Sequence, residues 1–297
     1  MEHLVLGLVL LVRAPAAGSS PCGQQDDITE MDMASNCFDD QYWGCSHMME
    51  EELAELNRTE FARNRVYAEA WTSATREWQR RKDEIPQTLR PELAIALLAY
   101  TMECSLYRTF NRAVREAGRS LQEYLQNFHF KVLHFLLSEA LRALREAGPQ
   151  RCYNVYRGVQ GIHFTAWRRQ TVRFGQFAST SLKESNAEDF GKNTSFSVKT
   201  CYGVPISDFS FYPWEKEVLI PPFEVFEVSN VAHKDGRAFI ELRSQSARSN
   251  YNCELVKGDA VPESSSSPSP GRSIRMDPPH LWVLLLAATA LAAAAGP

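Results

Sequence analysis

The chain has 297 residues, and its 44% hydrophobic and 23% charged content is typical of a globular protein with a sizeable core. Its net charge of −4 at pH 7 gives no sign of a nucleic-acid partner. The length fits one large domain or two small ones, and we find no internal repeat and no coiled-coil heptads.

The first twenty residues have the pattern of a secretory signal peptide. An apolar core covers residues 4–12, and small residues follow it at Ala14, Ala16, Ala17 and Gly18. This core is too short to span a bilayer. We therefore expect residues 1–20 to be removed and the mature protein to be exported.

Residues 48–148 show helical periodicity. In residues 48–81 the apolar positions recur at roughly helical intervals. Pro91 and Gly118 have the positions of residues that open and close the next helix, and Ser120 with Glu123 forms a capping-box pattern. A further apolar helical pattern then runs to the stop signal at residues 148–149.

After residue 149 the sequence changes to short segments rich in β-branched and aromatic residues. The predicted strands are CYNVYRGV, FASTSL, TSFSVKTCY, KEVLIPPFEVFEVSNV, GRAFIELRS and YNCELVK, at residues 152–159, 177–182, 194–202, 216–231, 236–244 and 251–257. Helices followed by strands predict an α+β fold, with an N-terminal helical half packed on a C-terminal mixed β half. The cleft between the halves is the expected site.

Seven cysteines and two glycosylation sequons are consistent with an extracellular location. Four cysteines lie in or beside strand-like or turn-like sequence: Cys45, Cys152, Cys201 and Cys253. Four cysteines allow three pairings, and these residues alone do not choose among them. Cys104 is expected to be a buried free thiol, and Cys22 and Cys37 are assigned no partner. The sequons predict glycans on Asn57 and Asn193.

The C-terminal end has the pattern of a GPI-attachment signal. Residues 261–280 form a small, polar Ser/Pro-rich spacer, and residues 281–297 form an apolar tail with no basic residue behind it. A membrane span needs ~20 apolar residues and usually a positive cytoplasmic flank, so a tail-anchored helix is the less favoured alternative. We expect attachment within residues 264–273, removal of the tail and display at the cell surface, with a secreted form as a variant.

The strand half carries polar residues in the order Arg, Ser, Glu-x-Glu. Arg157 lies in YRGV, Ser179 in FASTSL, and Glu215 and Glu217 flank one residue beside an apolar run. Residues i and i+2 of a strand share a face, so we expect both carboxylates on one side. Two acids there are costly unless they face water, cations or a ligand. The plain alternatives are a solvent-facing strand edge, a surface salt bridge and a polar turn.

With this set the sequence resembles the GPI-anchored, arginine-specific ecto-mono-ADP-ribosyltransferases of the cholera-toxin-like branch, which carry an R-S-ExE set with one element per strand. The matching blocks are FDDQYWGC, LLAYT, FHFKVLHFLL, VYRGV, FGQFASTSL, EKEVLIPPFE and NYNCELVK. The resemblance implies a catalytic domain over residues 21–260 with an NAD cleft and no metal ion. It also implies the disulfides Cys45–Cys253 and Cys152–Cys201.

The resemblance further implies roles for the polar set, with NAD or NADP as substrate. Glu217 would stabilise the cationic ribose that forms as nicotinamide leaves, and Glu215 would bind and deprotonate the acceptor guanidinium. Arg157 would bind the pyrophosphate or the adjoining ribose, and Ser179 would bond the nicotinamide ribose or hold Glu217. Further cofactor contacts are expected from Tyr100, Gln176 and Ser210. For Tyr100 the alternative is a core residue on a helix face.

An aromatic segment precedes the two acids, and the resemblance implies that it meets the acceptor. It contains Phe209, Phe211, Tyr212 and Trp214. Ordinary packing is the alternative for Phe209 and Phe211. Many relatives have Glu where this chain has Lys216, and we expect this change to affect protein docking rather than bond cleavage.

The expected function is transfer of ADP-ribose from NAD to arginine side chains of extracellular or cell-surface proteins. One alternative is an NAD glycohydrolase, in which water replaces arginine. Another is a catalytically silent cell-surface binding protein on the same scaffold. The presence of Glu215 favours transfer over hydrolysis, and the complete polar set argues against a silent protein.

Overall fold

A computed structural model of the chain describes residues 27–149 and 151–257. The expected signal peptide, Ser/Pro-rich spacer and C-terminal tail lie outside these residues, as does Cys22. No helix in the described ranges combines the length and the apolarity that crossing a bilayer requires.

The helical half predicted from the sequence is confirmed. The helices of the described residues are α1 (Ser46–Arg63), α2 (Arg65–Arg81), α3 (Pro91–Thr101), α4 (Leu106–Ala117), α5 (Leu121–Asn127), α6 (Lys131–Ala147) and α7 (Glu184–Asp189). Asn64 separates α1 from α2, since its side chain accepts the Tyr67 amide at 3.1 Å and caps the second helix. Ser120 caps α5 by accepting the Glu123 amide at 3.0 Å. Residues 102–105 interrupt what the sequence predicts as one helix.

The strands form a mixed sheet and a separate parallel pair. They are β1 (Asp27–Glu30), β2 (Tyr153–Val159), β3 (Ile162–Thr165), β4 (Thr171–Val172), β5 (Ala178–Ser181), β6 (Thr194–Thr200), β7 (Val204–Pro205), β8 (Glu217–Ile220), β9 (Glu224–Lys234) and β10 (Arg237–Ala247). The large sheet has the order β4-β9-β10-β6-β2-β5-β8-β7, and β1 pairs with β3. Within the large sheet β10 and β6 run parallel, and the other pairings are antiparallel. The predicted α+β class is therefore confirmed.

Two strand predictions need correction. Residues 216–231 form two strands rather than one, because the prolines at 221–222 lack the amide that a continuous ladder needs. Residues 251–257 are turns rather than a strand. There the Cys253 carbonyl accepts the Val256 amide at 3.1 Å, and Asp40 accepts the Glu254 amide at 3.1 Å.

Two apolar clusters cover the two sides of β5 and β8. Phe177 and Leu219 belong to the cluster built with the helical half. Ala178, Val218 and Ile220 belong to the second cluster, which lies within the strand half. Because side chains alternate along a strand, residues 179 and 217 share the helix-facing side with Phe177 and Leu219.

A buried ion pair joins distant parts of the chain. Arg173 and Asp39 are in contact, and their side chains are 1% and 0% exposed. Arg173 also donates to the carbonyl oxygens of Met33 and Arg248, both at 2.8 Å. Asp39 in turn accepts the Asn250 amide at 2.8 Å. The pair therefore ties the N-terminal and C-terminal segments to the loop before β5.

Two disulfides are present in the pairing that the resemblance implies. Cys45–Cys253 joins the start of α1 to the C-terminal turns, across 208 residues of chain. Cys152–Cys201 joins the start of β2 to the end of β6. A bond across so long a loop removes much of the freedom of the unfolded chain.

Among the described residues, the two free cysteines and the two predicted glycosylation sites differ in how deeply they are buried. Cys37 is a buried free thiol, whereas Cys104 is half-buried in the break between α3 and α4 rather than inside a helix. The side-chain amides of Asn57 and Asn193 are half-buried and form hydrogen bonds within the protein. Their glycosylation stays a prediction.

Asp39→Asn should destabilise the protein strongly. The substitution keeps the shape of the side chain but leaves the Arg173 charge buried without its partner, which costs about 3–5 kcal/mol. Urea unfolding with the disulfides intact measures the change. The control is Glu69→Gln, which breaks an ion pair with Arg65 whose side chains are 63% and 88% exposed. It should cost under about 1 kcal/mol, and equal effects of the two variants would contradict the assignment.

Candidate active site

Three neighbouring strands carry the polar set. Arg157 lies in β2 and Ser179 in β5, and Glu217 is the first residue of β8. These strands are adjacent in the order β2-β5-β8, so the one-element-per-strand expectation holds for the three residues. The Arg157 guanidinium donates from Nη1 to the Ser179 carbonyl at 2.6 Å. This bond fixes the arginine across the β2–β5 boundary.

Glu217 is a buried carboxyl held by a hydroxyl. It is 6% exposed, and the Ser179 side chain hydrogen-bonds it. Burial raises the pKa of Glu217 to about 7, while the Ser179 bond and the Arg157 charge act in the opposite direction. Glu217 therefore titrates near neutral pH, as groups at functional sites often do.

Glu215 does not lie on the strand that carries Glu217. It ends a short 3-10 helix, Pro213–Glu215, and Lys216 follows in the left-handed conformation with φ 51°. The prediction that both acids share a strand face is therefore wrong. The Glu215 charge nonetheless adds to the rise in the pKa of Glu217. Lys216 is an exposed turn residue.

A patch of acidic and aromatic side chains surrounds Glu215. Burial and then the charge of Glu103 raise the pKa of the half-buried Glu215 carboxyl. The Tyr212 hydroxyl donates to Glu103 at 3.5 Å. The Tyr212 ring packs edge-on against Trp214 at a centroid distance of 5.4 Å, and Trp214 is 64% exposed. Sequence reasoning missed Glu103, because it lies in the break that the helical pattern concealed.

Phe209 and Phe211 fit the packing alternative. Phe209 is buried in the cluster built with the helices, and Phe211 packs against the same cluster. Of the aromatic segment, Tyr212 and Trp214 thus remain as side chains that meet solvent beside Glu215.

Tyr100 is a core residue whose hydroxyl reaches the polar set. Its ring is 2% exposed, and burial raises its pKa to about 12. The hydroxyl donates to the Phe177 carbonyl at 2.9 Å and accepts from Asn111 at 3.0 Å. It also hydrogen-bonds the Ser179 side chain. The core alternative for Tyr100 is therefore confirmed, and its expected contact with NAD stays a prediction.

Gln176 and Ser210 each form hydrogen bonds within the protein. Gln176 is half-buried, and its amide oxygen accepts from the Arg115 guanidinium. Ser210 is fully buried, its hydroxyl accepts the Tyr212 amide at 3.0 Å, and its carbonyl accepts Arg81 at 2.8 Å. Their expected contact with NAD stays a prediction.

Arg157 and Arg115 form a positive region next to Gln176. Burial lowers the pKa of both guanidiniums, and for Arg115 the charges of Arg112 and Arg157 add to this effect. In the described ranges, neither Arg115 nor Arg157 forms an ion pair with a carboxylate. An anionic ligand with several oxygens would stabilise them. The sequence offered no signal for Arg115, which lies on α4 far from the strand motifs.

The described part of the chain holds no group of three His, Cys, Asp or Glu side chains arranged to bind a metal ion.

Comparison with known proteins defines the fold and the family. The eukaryotic mono-ADP-ribosyltransferase ART2.2 has a similar structure, with a TM-score of 0.65, 38% identity, and coverage of 75% of this chain and 98% of that one. A variant of that protein has been solved in complex with NAD. The fold is therefore that of an ADP-ribosyltransferase.

A family model described as NAD:arginine ADP-ribosyltransferase matches residues 31–250. The chain is 57% identical over 259 residues to the erythroblast NAD(P)(+)--arginine ADP-ribosyltransferase of Gallus gallus, with 86% of each chain covered. It is 46% identical over 276 residues to the GPI-linked NAD(P)(+)--arginine ADP-ribosyltransferase 1 of Homo sapiens, with coverage of 86% and 84%. The chain belongs to the NAD:arginine ADP-ribosyltransferase family.

The raised pKa of Glu217 predicts a pH-dependent stability difference. Its folded-state pKa of about 7 lies above the ordinary value, so the folded protein binds the proton more tightly than the unfolded chain. The contribution of this residue to stability therefore falls as pH rises through that window. Glu217→Gln removes the titration, and its melting temperature relative to wild type should rise from about pH 5 to about pH 8.

Thermal melts of both proteins across this pH range test the prediction. Glu69→Gln, at an exposed position on α2, is the matched control, and its small difference from wild type should not change over this pH range. A difference between Glu217→Gln and wild type that stays constant with pH would show that Glu217 does not titrate in this window.

Proposed function

We propose that this protein transfers ADP-ribose from NAD to arginine side chains of extracellular or cell-surface proteins and releases nicotinamide. The observation that carries the proposal is a buried carboxyl, Glu217, hydrogen-bonded to Ser179 beside Arg157, with a second carboxyl, Glu215, on the adjacent turn. Membership of the family supports the same reaction.

Glu217 stabilises the charge that develops on the ribose. The bond between the ribose and the nicotinamide nitrogen breaks, and its electron pair leaves with nicotinamide, which becomes neutral. The sugar acquires oxocarbenium character, as in glycoside hydrolysis. A carboxylate already fixed in a dry site stabilises this cation without reorganisation. Because a nearby positive charge lowers a carboxyl pKa, a cationic substrate favours the ionised form of Glu217.

The positive region binds the anionic part of NAD. Arg157 and Arg115 are partly desolvated guanidiniums, and a pyrophosphate offers the oxygens that their fixed donors fit. Tyr100 supports Ser179, and Gln176 and Ser210 contribute further contacts to the same substrate. The names of the Gallus gallus and Homo sapiens relatives include NAD(P)(+). This supports NADP as a second substrate of the same site.

Glu215 activates the acceptor. An arginine side chain is cationic at neutral pH and a poor nucleophile. Glu215 binds the guanidinium, accepts one of its protons, and leaves the nitrogen free to form the new bond to the ribose carbon. Glu103 adds a second negative charge beside this position. Trp214 supplies an exposed aromatic face of the kind that guanidinium groups stack on.

The alternative function is that of an NAD glycohydrolase, which would use Glu217 in the same way to break the bond to nicotinamide. Water needs no carboxyl to neutralise a guanidinium, so the half-buried Glu215 with its raised pKa favours transfer. A silent binding protein would have no need for a buried Glu217, which costs stability at neutral pH.

Substitution of Glu217 and substitution of Glu215 should affect transfer and hydrolysis differently. Glu217→Gln removes the charge opposite the cationic ribose, and loss of one such group typically costs about 10²–10³ in rate. Both reactions pass through that cation, so both should fall together. Glu215→Gln removes base assistance worth about 10²–10⁴, so transfer to agmatine should collapse while NAD hydrolysis persists.

The measurement uses labelled NAD with agmatine and follows ADP-ribosyl-agmatine and free ADP-ribose separately. Glu227→Gln, at a half-buried position in β9, is the control and should leave the product ratio unchanged. Equal losses of transfer and hydrolysis in Glu215→Gln would disprove this division of roles. Wild-type product that is free ADP-ribose alone would favour the glycohydrolase.

We also infer attachment to the outer cell surface through a GPI anchor. The inference rests on the spacer at residues 261–280 and the apolar tail at residues 281–297, together with the signal-peptide pattern at residues 1–20. The human relative is named GPI-linked, which supports the same anchor.

Phospholipase treatment of intact expressing cells should release the transferase activity into the medium. The lipid of a GPI anchor is the only tie to the membrane once the tail has been removed. A known GPI-anchored protein on the same cells verifies the cleavage. Activity that stays with the cells after verified cleavage would favour a tail-anchored helix.

A further inference from the structure

The turn that carries Glu215 is fastened to one neighbouring segment through its carbonyl oxygens. Three consecutive carbonyls, those of residues 214–216, each accept a hydrogen bond from residues 181–186. That segment contains the end of β5 and the first turn of α7.

Asn186 is central to this attachment. Its side-chain nitrogen lies 2.9 Å from the Glu215 carbonyl oxygen and 3.4 Å from the Trp214 carbonyl oxygen. It also lies 3.4 Å from the Ser181 hydroxyl oxygen. The two donors of this amide group therefore have acceptors on the Glu215 turn and on Ser181 within hydrogen-bond distance.

Ser181 completes the attachment from the end of β5. Its hydroxyl donates to the Glu215 carbonyl at 2.6 Å and accepts the Lys183 amide at 3.0 Å. The Leu182 amide donates to the Lys216 carbonyl at 3.1 Å. Ser181 also pairs with Glu217 across the β5–β8 ladder. The same residue therefore contacts the backbone of both acids.

The turn needs this outside support. Its internal bonds run from the Glu215 amide to the Tyr212 carbonyl at 3.0 Å and from the Lys216 amide to the Pro213 carbonyl at 3.4 Å. Lys216 adopts a left-handed conformation that is unfavourable for a residue with a Cβ. Such backbone persists where surrounding contacts over-determine it. Glu217, in contrast, is fixed by the β8 ladder itself.

The position of α7 is set by the strand that carries Arg157. A Cβ at Gly158 would lie 2.0 Å from the Ala187 carbonyl oxygen, so α7 packs directly on the backbone of β2. Asn186 is next to Ala187 in this helix. The strand that carries Arg157 therefore positions α7, and α7 carries the Asn186 side chain that bonds the Glu215 turn.

We propose that Asn186 is a positioning residue that sets how ADP-ribose is divided between arginine and water, because it holds the backbone of Glu215 in place. The inference rests on the role proposed above for Glu215 in activating the acceptor. It assigns no contact between Asn186 and either substrate. Glu217 and the bond-breaking step do not depend on Asn186, since the strand ladder supports them independently.

Asn186→Ala should therefore lower transfer selectively. A displaced catalytic group can cost about 10²-fold in rate, so we expect transfer to agmatine to fall by about 10-fold to 10²-fold. NAD hydrolysis should change by less than about threefold, because Glu217 keeps its position. Asn186→Asp keeps the shape but lacks the amide protons, and it should give the same change in product ratio. Asn154→Ala, at an exposed position in β2, is the matched control.

A double-mutant cycle separates positioning from a general structural effect. If Asn186 acts through Glu215, Asn186→Ala in the Glu215→Gln background should cause no further loss of transfer. An additional loss in that background as large as in wild type would overturn the inference. A product ratio for Asn186→Ala and Asn186→Asp equal to that of wild type would overturn it as well.

The same experiment distinguishes this inference from the proposed function. If Glu215→Gln by itself leaves the product ratio unchanged, the proposed role of Glu215 fails, and the inference falls with it. If Glu215→Gln lowers the ratio while both Asn186 variants do not, the role of Glu215 stands and only the inference fails. Melting temperatures of all variants identify any that do not fold, and Asn186→Asp is the variant that keeps the packing volume.

Discussion

The burial of the Glu217 carboxyl is the constraint on which the rest of the site depends. A carboxyl removed from water pays a desolvation cost, and its pKa here rises to about 7. The Ser179 hydroxyl and the Arg157 guanidinium offset part of that cost. Their approach requires β2, β5 and β8 to be neighbours in this order, so the sheet topology and the chemistry of the site are linked.

The two acids of the site are supported in different ways. Glu217 belongs to a strand, where the ladder with β5 fixes its backbone. Glu215 belongs to a short turn with an unfavourable left-handed residue after it, and side chains from a separate segment hold it. A reaction with two substrates suits this division. In the proposed reaction, the step common to transfer and hydrolysis would use the acid on the strand, whereas activation of the acceptor would use the acid on the turn.

Long-range ties place the segment that leads into β5. The buried pair of Arg173 with Asp39 joins both ends of the described domain to the loop that continues through Gln176 to Ser179. Gly175 has φ +63° and lies against Ala34, so this loop passes close to the N-terminal segment. The same contacts therefore contribute to the stability of the domain and to the placement of Gln176 and Ser179.

Local sequence patterns determined the fold class of this protein, and a family resemblance indicated its polar set. The change from helical to strand periodicity gave the α+β arrangement, and Ser120 with Glu123 marked a helix start that the structure contains. The resemblance to a family with an R-S-ExE set pointed to Arg157, Ser179 and Glu217, and the structure places each of them on its own strand. Periodicity and helix capping depend on neighbours in sequence, so they are readable without coordinates.

Tertiary structure alone decided the features that join distant segments. The i, i+2 spacing suggested one strand for both acids, but Pro213 starts a 3-10 helix and β8 begins only at Glu217. Residues 251–257 have strand composition, yet the disulfide at Cys253 and the bonds to Asp39 and Asp40 hold them as turns. Glu103, Arg115 and Asn186 carry no local signal. Their importance comes from partners many residues away, and only the folded chain brings those partners into contact.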